Sequence, residues 1–315
     1  MKAYILTGEA QGVVDNIPLP SINEEEVLIK VIACGVCATE AYVWRKGIDA
    51  PRMLGHEPVG IIVDKGKGVK GFDIGDRVTG LITNAFAEYA KVHYRDIVKV
   101  PDELDDLEAL GEPLSCLISA AERTPIKLGQ DVAIIGAGFM GLGFLQLARI
   151  KGAGKVIAID IREESLSNAK RFGANFTFSP SEIPDDYKIV RWEHMFSRGI
   201  PVVVEASGTQ SGLDLAGEMT AVHGTLSILG YHQGGLRNVN MELWNWKAIT
   251  VINAHERRNK VHIECMKAGL ELIRQKRLNM KGLITHIFSL EEVDKAFKAL
   301  IEKPSGFIKA VIKVS

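Results

Sequence analysis

The spacing of hydrophobic and polar positions changes near the middle of the chain. In the first hundred residues, short β-branched runs at 27–33, 59–64 and 77–82 are separated by glycine-containing turns at 65–68 and 73–76. Runs of this length with turn residues between them are typical of strands. The first part of the chain is therefore predicted to be a small all-β domain.

From Gln130 onward the pattern becomes strand followed by helix. The predicted strands are 131–136, 155–160, 201–205, 225–230 and 249–253, and the predicted helices are 139–151 and 162–172. Such alternation predicts a parallel, doubly wound α/β sheet. After Ala254 come a helical stretch at 261–276, a second helix opened by a capping box at 289–292, and a last strand at 307–314.

Composition and charge narrow the class of partner. The chain has 315 residues, 46% of them hydrophobic and 24% charged, which indicates about two globular domains. The formal net charge is −1 without a basic block, so we expect a small-molecule partner and no nucleic acid. No apolar run long enough to span a membrane occurs, the N-terminus turns acidic early, and four cysteines are too few for a disulfide scaffold. These features predict a cytoplasmic protein.

One short region combines a thiol, an imidazole and a carboxylate. Cys37 lies in the segment 35–40, and His56 and Glu57 follow in Gly55-His56-Glu57. Catalytic zinc sites take about three ligands of these types and keep one position open, whereas structural zinc sites are closed. We therefore predict an open, catalytic metal site.

A second motif follows the first strand of the α/β region. The segment 136–141 reads Gly-Ala-Gly-Phe-Met-Gly after an apolar strand and before a helix, and Asp160 closes the next strand. In this context the glycines serve the turn, the approach of a pyrophosphate and helix packing. The carboxylate of Asp160 favours NAD over NADP, although Arg162 nearby is compatible with NADP. The predicted dinucleotide contacts in this motif are Gly136, Gly138, Phe139, Met140, Gly141, Asp160 and Arg162.

Taken in order, these motifs resemble the zinc-dependent medium-chain alcohol dehydrogenase family. The matching segments are 35–40, Gly-His-Glu at 55–57, Gly-Asp-Arg-Val at 75–78 and the dinucleotide motif at 136–141. The resemblance covers nearly the whole chain. It implies a GroES-like β-rich catalytic domain at 1–120 and 254–315 and a Rossmann doubly wound domain at 121–253.

The resemblance also implies a ligand set. Cys37 and His56 would be zinc ligands, and Glu57 a direct or exchangeable one. Glu112 occupies the position that is Cys in liver-type alcohol dehydrogenases and Glu in the sorbitol and glucose dehydrogenase branch. Whether Glu57 or Glu112 touches the metal stays open at this point.

Other positions acquire roles by the same resemblance. Thr39 matches the hydroxyl that accepts the substrate proton, and Tyr42 stands where relatives commonly have the relay His. Tyrosine accepts a proton poorly at neutral pH, so the proton is expected to leave without Tyr42. Glu40 is expected to orient the ligand His and to meet Lys309 on the last strand.

The remaining site predictions concern the cofactor and the metal count. Ser207, Gly230 and Lys309 complete the predicted cofactor site. The lobe in which many relatives bind a structural zinc with four cysteines is missing, since seven residues without Cys separate Val78 from Phe86. One zinc per chain is therefore expected.

The predicted function is hydride transfer between a secondary alcohol and NAD, with a polyol, cyclitol or sugar derivative favoured. One alternative is a larger hydrophobic substrate, such as a hydroxyethyl group on a ring system. Another is a zinc-free reductase or a non-enzymatic nucleotide-binding protein of the same fold. The family resemblance implies a homodimer or homotetramer.

Overall fold

The computed structural model describes residues 1–314, which form sixteen strands and eight α-helices. The strands are β1 Lys2–Gly8, β2 Gln11–Asn16, β3 Glu26–Gly35, β4 Arg52–Met53, β5 Glu57–Lys65, β6 Arg77–Gly80, β7 Tyr89–His93, β8 Ile97–Lys99, β9 Val132–Ile135, β10 Val156–Ile159, β11 Phe176–Phe178, β12 Ile200–Glu205, β13 Thr220–Ile228, β14 Thr250–Asn253, β15 Ile284–Ser289 and β16 Lys309–Lys313. The helices are α1 Ala38–Lys46, α2 Gly111–Arg123, α3 Phe139–Ile150, α4 Glu163–Arg171, α5 Gln210–Met219, α6 Met241–Lys247, α7 Asn259–Arg274 and α8 Val293–Glu302. Within these described residues no helix is long and apolar enough to cross a membrane.

The chain divides into two compact units. One comprises Met1–Cys116 together with the chain from Arg257, and the other comprises Leu117–Glu256. The first unit is therefore built from two separate stretches of the chain. Its C-terminal stretch contributes α7, α8, β15 and β16 to the same unit as the N-terminal strands.

The first unit is built on a seven-stranded sheet. Six strands follow the order β15-β16-β3-β5-β6-β8, and β7 also pairs with β3. The antiparallel pair of β3 and β5 places Gly35 opposite Glu57, while β16 runs antiparallel to β3 with Val311 opposite Gly35. The end of β3, the start of β5 and the start of β16 are consequently neighbours.

The second unit is a six-stranded parallel sheet. Its strand order is β11-β10-β9-β12-β13-β14, and the order reverses between β9 and β12. Four-residue strands such as β9 and β10 are buried throughout, as expected for a sheet covered on both faces. A reversal of this kind leaves a crevice at the carboxyl ends of the strands, where α/β proteins bind ligands.

The prediction of an all-β N-terminal domain is wrong at one element. Residues 38–46 form the helix α1, which ends at Gly47 in a left-handed conformation with φ 58°. The β-branched and aromatic residues of this segment favoured strand, and Cys37 at the start of α1 forms no side-chain cap. Packing decides instead, because Trp44 is buried and its ring stacks on Phe297 at 5.5 Å.

The boundaries of the predicted strands also differ from those of the structure, most of them by one or two residues. Strand β13 begins at Thr220, five residues earlier than predicted, and β16 begins at Lys309 and not at 307. The capping box predicted at Ser289 is present, with the Ser289 and Glu292 side chains bonding each other's backbone N–H groups.

Candidate metal centre and dinucleotide site

The sheet of the first unit explains how two distant motifs meet. Cys37 follows the end of β3 by two residues, and His56 immediately precedes β5. Because β3 and β5 are antiparallel neighbours, the end of one strand lies beside the start of the other. The residues that carry chemistry are therefore placed at one sheet edge by backbone pairing alone.

Three potential ligands converge at that edge. The sulfur of Cys37, a ring nitrogen of His56 and a carboxylate oxygen of Glu57 all lie within 4.8 Å of one another. A thiolate, an imidazole and a carboxylate in this spacing suit a tetrahedral Zn²⁺, and three protein ligands would leave one position open. The donor set therefore fits a catalytic zinc ion.

The imidazole of His56 is oriented by a contact with Glu40. Glu40 Oε1 lies 3.1 Å from His56 Nδ1 and accepts a hydrogen bond of 2.6 Å from the Gly55 N–H. This contact occupies Nδ1 and leaves Nε2 as the nitrogen that can ligate a metal. Gly55 is required here, because its φ is +98° and a Cβ would lie 2.3 Å from the Phe86 nitrogen.

The electrostatic surroundings of His56 favour a cation. Burial by itself would lower the pKa of His56, but the Glu40 carboxylate and hydrogen bonds to Cys37 and Glu40 raise it to about 12. The same negative groups that stabilise an imidazolium would stabilise a bound divalent ion. The pKa shift is therefore consistent with a site suited to positive charge.

The carboxylate of Glu57 forms a buried ion pair. Lys309 Nζ lies 2.5 Å from Glu57 Oε2, and both side chains are almost completely buried. Burial would lower the pKa of Lys309, but the charges of Glu57, Cys37 and Glu112 raise it. Lys309 was expected to meet Glu40, and the ion pair that the structure shows is with Glu57. Its place in the cofactor site stays a prediction.

Thr39 and Tyr42 both belong to α1 but have different surroundings. Thr39 Oγ1 donates a hydrogen bond to the sulfur of Cys37 at 3.1 Å. The partly buried ring of Tyr42 instead has the guanidinium of Arg45 at 6.0 Å from its centroid. Of these two residues, Thr39 is the one shown in contact with a candidate ligand.

Glu112 lies in the first turn of α2, outside the group of ligand atoms within 4.8 Å. Burial raises the pKa of Glu112; the charge of His56 lowers it, and that of Glu57 raises it further. Its side chain accepts a hydrogen bond of 3.5 Å from the Cys116 thiol. Glu112 therefore interacts electrostatically with His56 and Glu57, and Glu57 is the carboxylate that belongs to the group within 4.8 Å.

A hydrogen-bonded chain fixes the start of α2. Ser115 Oγ donates to the Glu112 carbonyl at 2.7 Å and lies 2.7 Å from Nδ1 of the buried His262. Because the single serine hydrogen goes to the carbonyl, the imidazole must supply the hydrogen of the second bond. Helix α7 thus fixes the turn that carries Glu112.

In the second unit, the glycine-rich turn follows β9 directly. Gly136 adopts φ +96°, and a Cβ at Gly141 would lie 1.8 Å from the Gly136 carbonyl oxygen. Gly138 precedes α3, and a Cβ there would meet open space. The turn is therefore tight at Gly136 and Gly141 and open at Gly138. Phe139 and Met140 begin α3, and the N-terminus of a helix is a favourable place for a phosphate.

Asp160 is tied to the same turn. Its carboxylate accepts hydrogen bonds from the Ala137 N–H at 2.8 Å and from the Arg162 N–H at 2.9 Å, and the Arg162 Nε lies 3.7 Å away. A carboxylate offers about four lone-pair positions, so acceptor capacity remains for a ribose. Asp160 is thus placed beside the turn as the motif predicts.

Comparison with known proteins identifies the family. Residues 23–102 match the family model of the alcohol dehydrogenase GroES-like domain, and residues 140–274 match that of the zinc-binding dehydrogenases. L-threonine 3-dehydrogenase of Bacillus velezensis is 30% identical, with 97% of each chain covered. The chain belongs to the zinc-dependent medium-chain alcohol dehydrogenase family.

Two further relatives show the breadth of this alcohol dehydrogenase family around the chain. Sorbitol dehydrogenase of Bacillus subtilis is 27% identical, covering 99% of this chain and 97% of the relative. The crystal structure of galactitol-1-phosphate dehydrogenase from Escherichia coli has 25% identity and a TM-score of 0.85, covering 99% of this chain and all of that one. These likenesses confirm the predicted fold class and show an oxidoreductase of the alcohol and polyol dehydrogenase type.

Among the predicted site residues of this alcohol dehydrogenase, Ser207 and Gly230 have an unexpected neighbour. Ser207 Oγ donates to Glu205 Oε1 at 2.5 Å, and a Cβ at Gly230 would lie 2.5 Å from Glu205 Oε2. Glu205 was not among the residues predicted from the sequence. A charged residue that ends the apolar run Val202-Val203-Val204 is the signal that would have found it.

Proposed function

We propose that the chain is an NAD-dependent zinc alcohol dehydrogenase that oxidises a secondary alcohol, with a polyol, cyclitol or sugar derivative as the preferred substrate class. The observation that carries the proposal is the cluster of Cys37, His56 and Glu57 within 4.8 Å, with the imidazole held by Glu40. The relatives named for sorbitol and galactitol 1-phosphate support a polyol.

Cys37 and His56 would hold the zinc ion, with Glu57 as a direct or exchangeable third ligand. Zinc, when bound, acts as a Lewis acid that lowers the pKa of the substrate hydroxyl. The pairing of Glu57 with Lys309 supports an exchangeable role, because the carboxylate has a second cationic partner when it leaves the metal. Glu112, which is partly buried at the start of α2, remains the alternative carboxylate ligand.

Thr39 is proposed to receive the substrate proton. Its hydroxyl donates its hydrogen to the Cys37 sulfur, so this bond uses the donor of the hydroxyl and not its acceptor positions. Tyr42 is proposed to stand outside the proton path, which would run from Thr39 to the cofactor ribose and water.

NAD is proposed as the hydride acceptor. The turn at 136–141 and the N-terminus of α3 would hold the pyrophosphate, and Asp160 would bind the ribose hydroxyls and repel a 2′-phosphate. NAD, when bound, takes the hydride at C4 of its nicotinamide. Arg162 lies beside Asp160 and offsets part of that repulsion. The preference for NAD over NADP is therefore measured as the ratio of the two kcat/KM values.

We further propose that the first unit is the catalytic domain and the second the dinucleotide domain. We also propose that the protein is cytoplasmic and forms a homodimer or a homotetramer.

The function is tested by following NADH absorbance with polyols, sugars, simple secondary alcohols and secondary alcohols on hydrophobic rings. The proposal expects turnover of a polyol or sugar derivative, loss of turnover with a zinc chelator, and a higher kcat/KM for NAD than for NADP. Preference for a ring substrate would select the larger-alcohol alternative. Turnover that survives complete zinc removal would contradict the proposal and favour a zinc-free reductase.

A further inference from the structure

A buried carboxylate lies at the carboxyl end of the central strand β12. Glu205 is fully buried, and its backbone pairs with Ile135 of β9 on one side and with Ile228 of β13 on the other. An ionised carboxylate in such a place is costly unless donors surround it. The partners of Glu205 therefore determine whether the carboxyl edge of the sheet keeps its shape.

Those partners come from two separate loops. From the segment 206–209, Ser207 donates its N–H at 2.8 Å and its hydroxyl at 2.5 Å to Oε1, and Gly208 donates its N–H at 2.9 Å. From the loop after β13, His232 Nε2 lies 2.9 Å from Oε2. One carboxylate thus joins the loop after β12 to the loop after β13.

The protonation of His232 follows from its other neighbour. Arg237 Nε donates to His232 Nδ1 at 3.2 Å, so Nδ1 is an acceptor and the ring hydrogen lies on Nε2, facing Glu205. Arg237 also donates to the Gln233 carbonyl at 2.9 Å. A neutral imidazole therefore connects a guanidinium to a buried carboxylate.

The segment held by Glu205 packs on the glycine-rich turn. A Cβ at Gly136 would lie 2.8 Å from the Ser207 nitrogen and 2.9 Å from the Ala206 carbonyl carbon. No side chain separates the segment 206–209 from the turn, so a shift in one displaces the other. The geometry of the turn consequently depends on the donors that hold Glu205.

We propose that His232 and Arg237 are positioning residues of the dinucleotide site. His232 acts through Glu205, and Arg237 acts through His232 and through its own hydrogen bond of 3.4 Å to the Gly208 carbonyl. Together they hold the segment 206–209 against the glycine-rich turn, so that the cofactor binds to a site already formed. Neither residue needs to touch the cofactor. The inference rests on the proposed function, because it assumes that this edge binds a nicotinamide dinucleotide.

Two substitutions separate the two hydrogen bonds of His232. In His232→Gln, the amide nitrogen replaces Nε2–H and keeps a donor for Glu205. In His232→Asn, the shorter side chain places an acceptor near Nδ1 for Arg237 but leaves Glu205 without its donor. His223→Asn serves as the control, because His223 is an exposed histidine of the same unit with φ +56°, which Asn tolerates.

The readouts are the Kd of NADH from fluorescence titration and the split between kcat and KM for NAD in the zinc-loaded enzyme. We expect His232→Asn to weaken NADH binding about tenfold, the scale of one buried group left without its partner. His232→Gln should retain most of the affinity, and His223→Asn all of it. The loss should appear in KM for NAD more than in kcat, which a merely structural residue would not produce.

An NADH Kd in His232→Asn within about twofold of wild type would overturn the inference. Equal losses in the Gln and Asn variants would also overturn it, because the bond to Glu205 would then not matter. If His232→Asn fails to fold, Arg237→Gln is measured instead, because it leaves the hydrogen bond between His232 and Glu205 in place. An unchanged NADH Kd in Arg237→Gln would then contradict the proposal. Wild-type protein that binds no NADH would refute the proposed function itself.

Discussion

The contact between Glu40 and His56 gives the sharpest prediction about the metal centre. Glu40 is 8% exposed, and its Oε1 serves both the Gly55 N–H at 2.6 Å and His56 Nδ1 at 3.1 Å. In Glu40→Gln the amide oxygen can keep both contacts while the negative charge is lost. In Glu40→Ala the charge and the acceptor are both lost.

The magnitude follows from these two differences. Removing the partner that holds a ligating imidazole costs about 10- to 100-fold in metal affinity, or about 1.4–2.7 kcal/mol. We expect Glu40→Gln near the lower limit and Glu40→Ala near the upper one. Only Glu40→Ala should also lower the free energy of unfolding, by about 1–3 kcal/mol, because it leaves the buried Gly55 N–H without an acceptor.

The assay is a competition titration of zinc against a chelator of known affinity, with chemical denaturation of the metal-free protein in parallel. Glu24→Gln, which removes a charge from an exposed glutamate of the same unit, is the control. Zinc affinity in Glu40→Gln equal to that of the control would refute the claim that the Glu40 charge supports His56 as a ligand.

Three further predictions concern other parts of the chain. Thr39→Ala should lower kcat about a hundredfold, the scale of a positioned proton-transfer group, and Tyr42→Phe only modestly; equal losses would place Tyr42 on the proton path. Lys247 is buried, and its ammonium donates to backbone carbonyls at the C-terminal end of α5, so Lys247→Met should lower the free energy of unfolding by about 2–4 kcal/mol in denaturant titrations. Burial lowers the pKa of Lys247 to about 8. Between pH 8 and its unfolded pKa of about 10.4 the unfolded chain holds more protons, so wild type should gain stability over Lys247→Met as pH rises there, and a constant difference would contradict the shift. Gly141→Ala should abolish NADH binding or unfold the second unit, because the added Cβ would lie 1.8 Å from the Gly136 carbonyl oxygen; an alanine variant with normal NADH affinity would show that the turn can move.

The sequence predicts this fold well where local signals and packing agree. Strands β9 and β10 are apolar runs followed directly by Gly136 and Asp160, and the parallel sheet follows from the alternation of strands and helices in this part of the chain. Helix α1 escaped prediction because its segment is rich in β-branched and aromatic residues, and the burial of Trp44 against Phe297 is a contact between distant parts of the chain.

The candidate site also has features that the sequence predicts and others that it does not. Cys37, His56 and Glu57 are recognisable because their residue types are rare together and stand at strand ends, and the structure brings them together, although their roles as ligands stay predictions. The choice of Glu57 as the partner of Lys309 depends on which carboxylate the lysine reaches when β16 pairs with β3. The distance between Lys309 and each carboxylate could not be predicted from the sequence, because it depends on the packing of the folded chain.

Elemental analysis of catalytically active protein tests the central claim most directly. With one cluster of Cys37, His56 and Glu57 among the described residues and no four-cysteine lobe in the sequence, the account predicts one zinc ion per chain. Two zinc ions per chain, or none in active protein never exposed to a chelator, would contradict it.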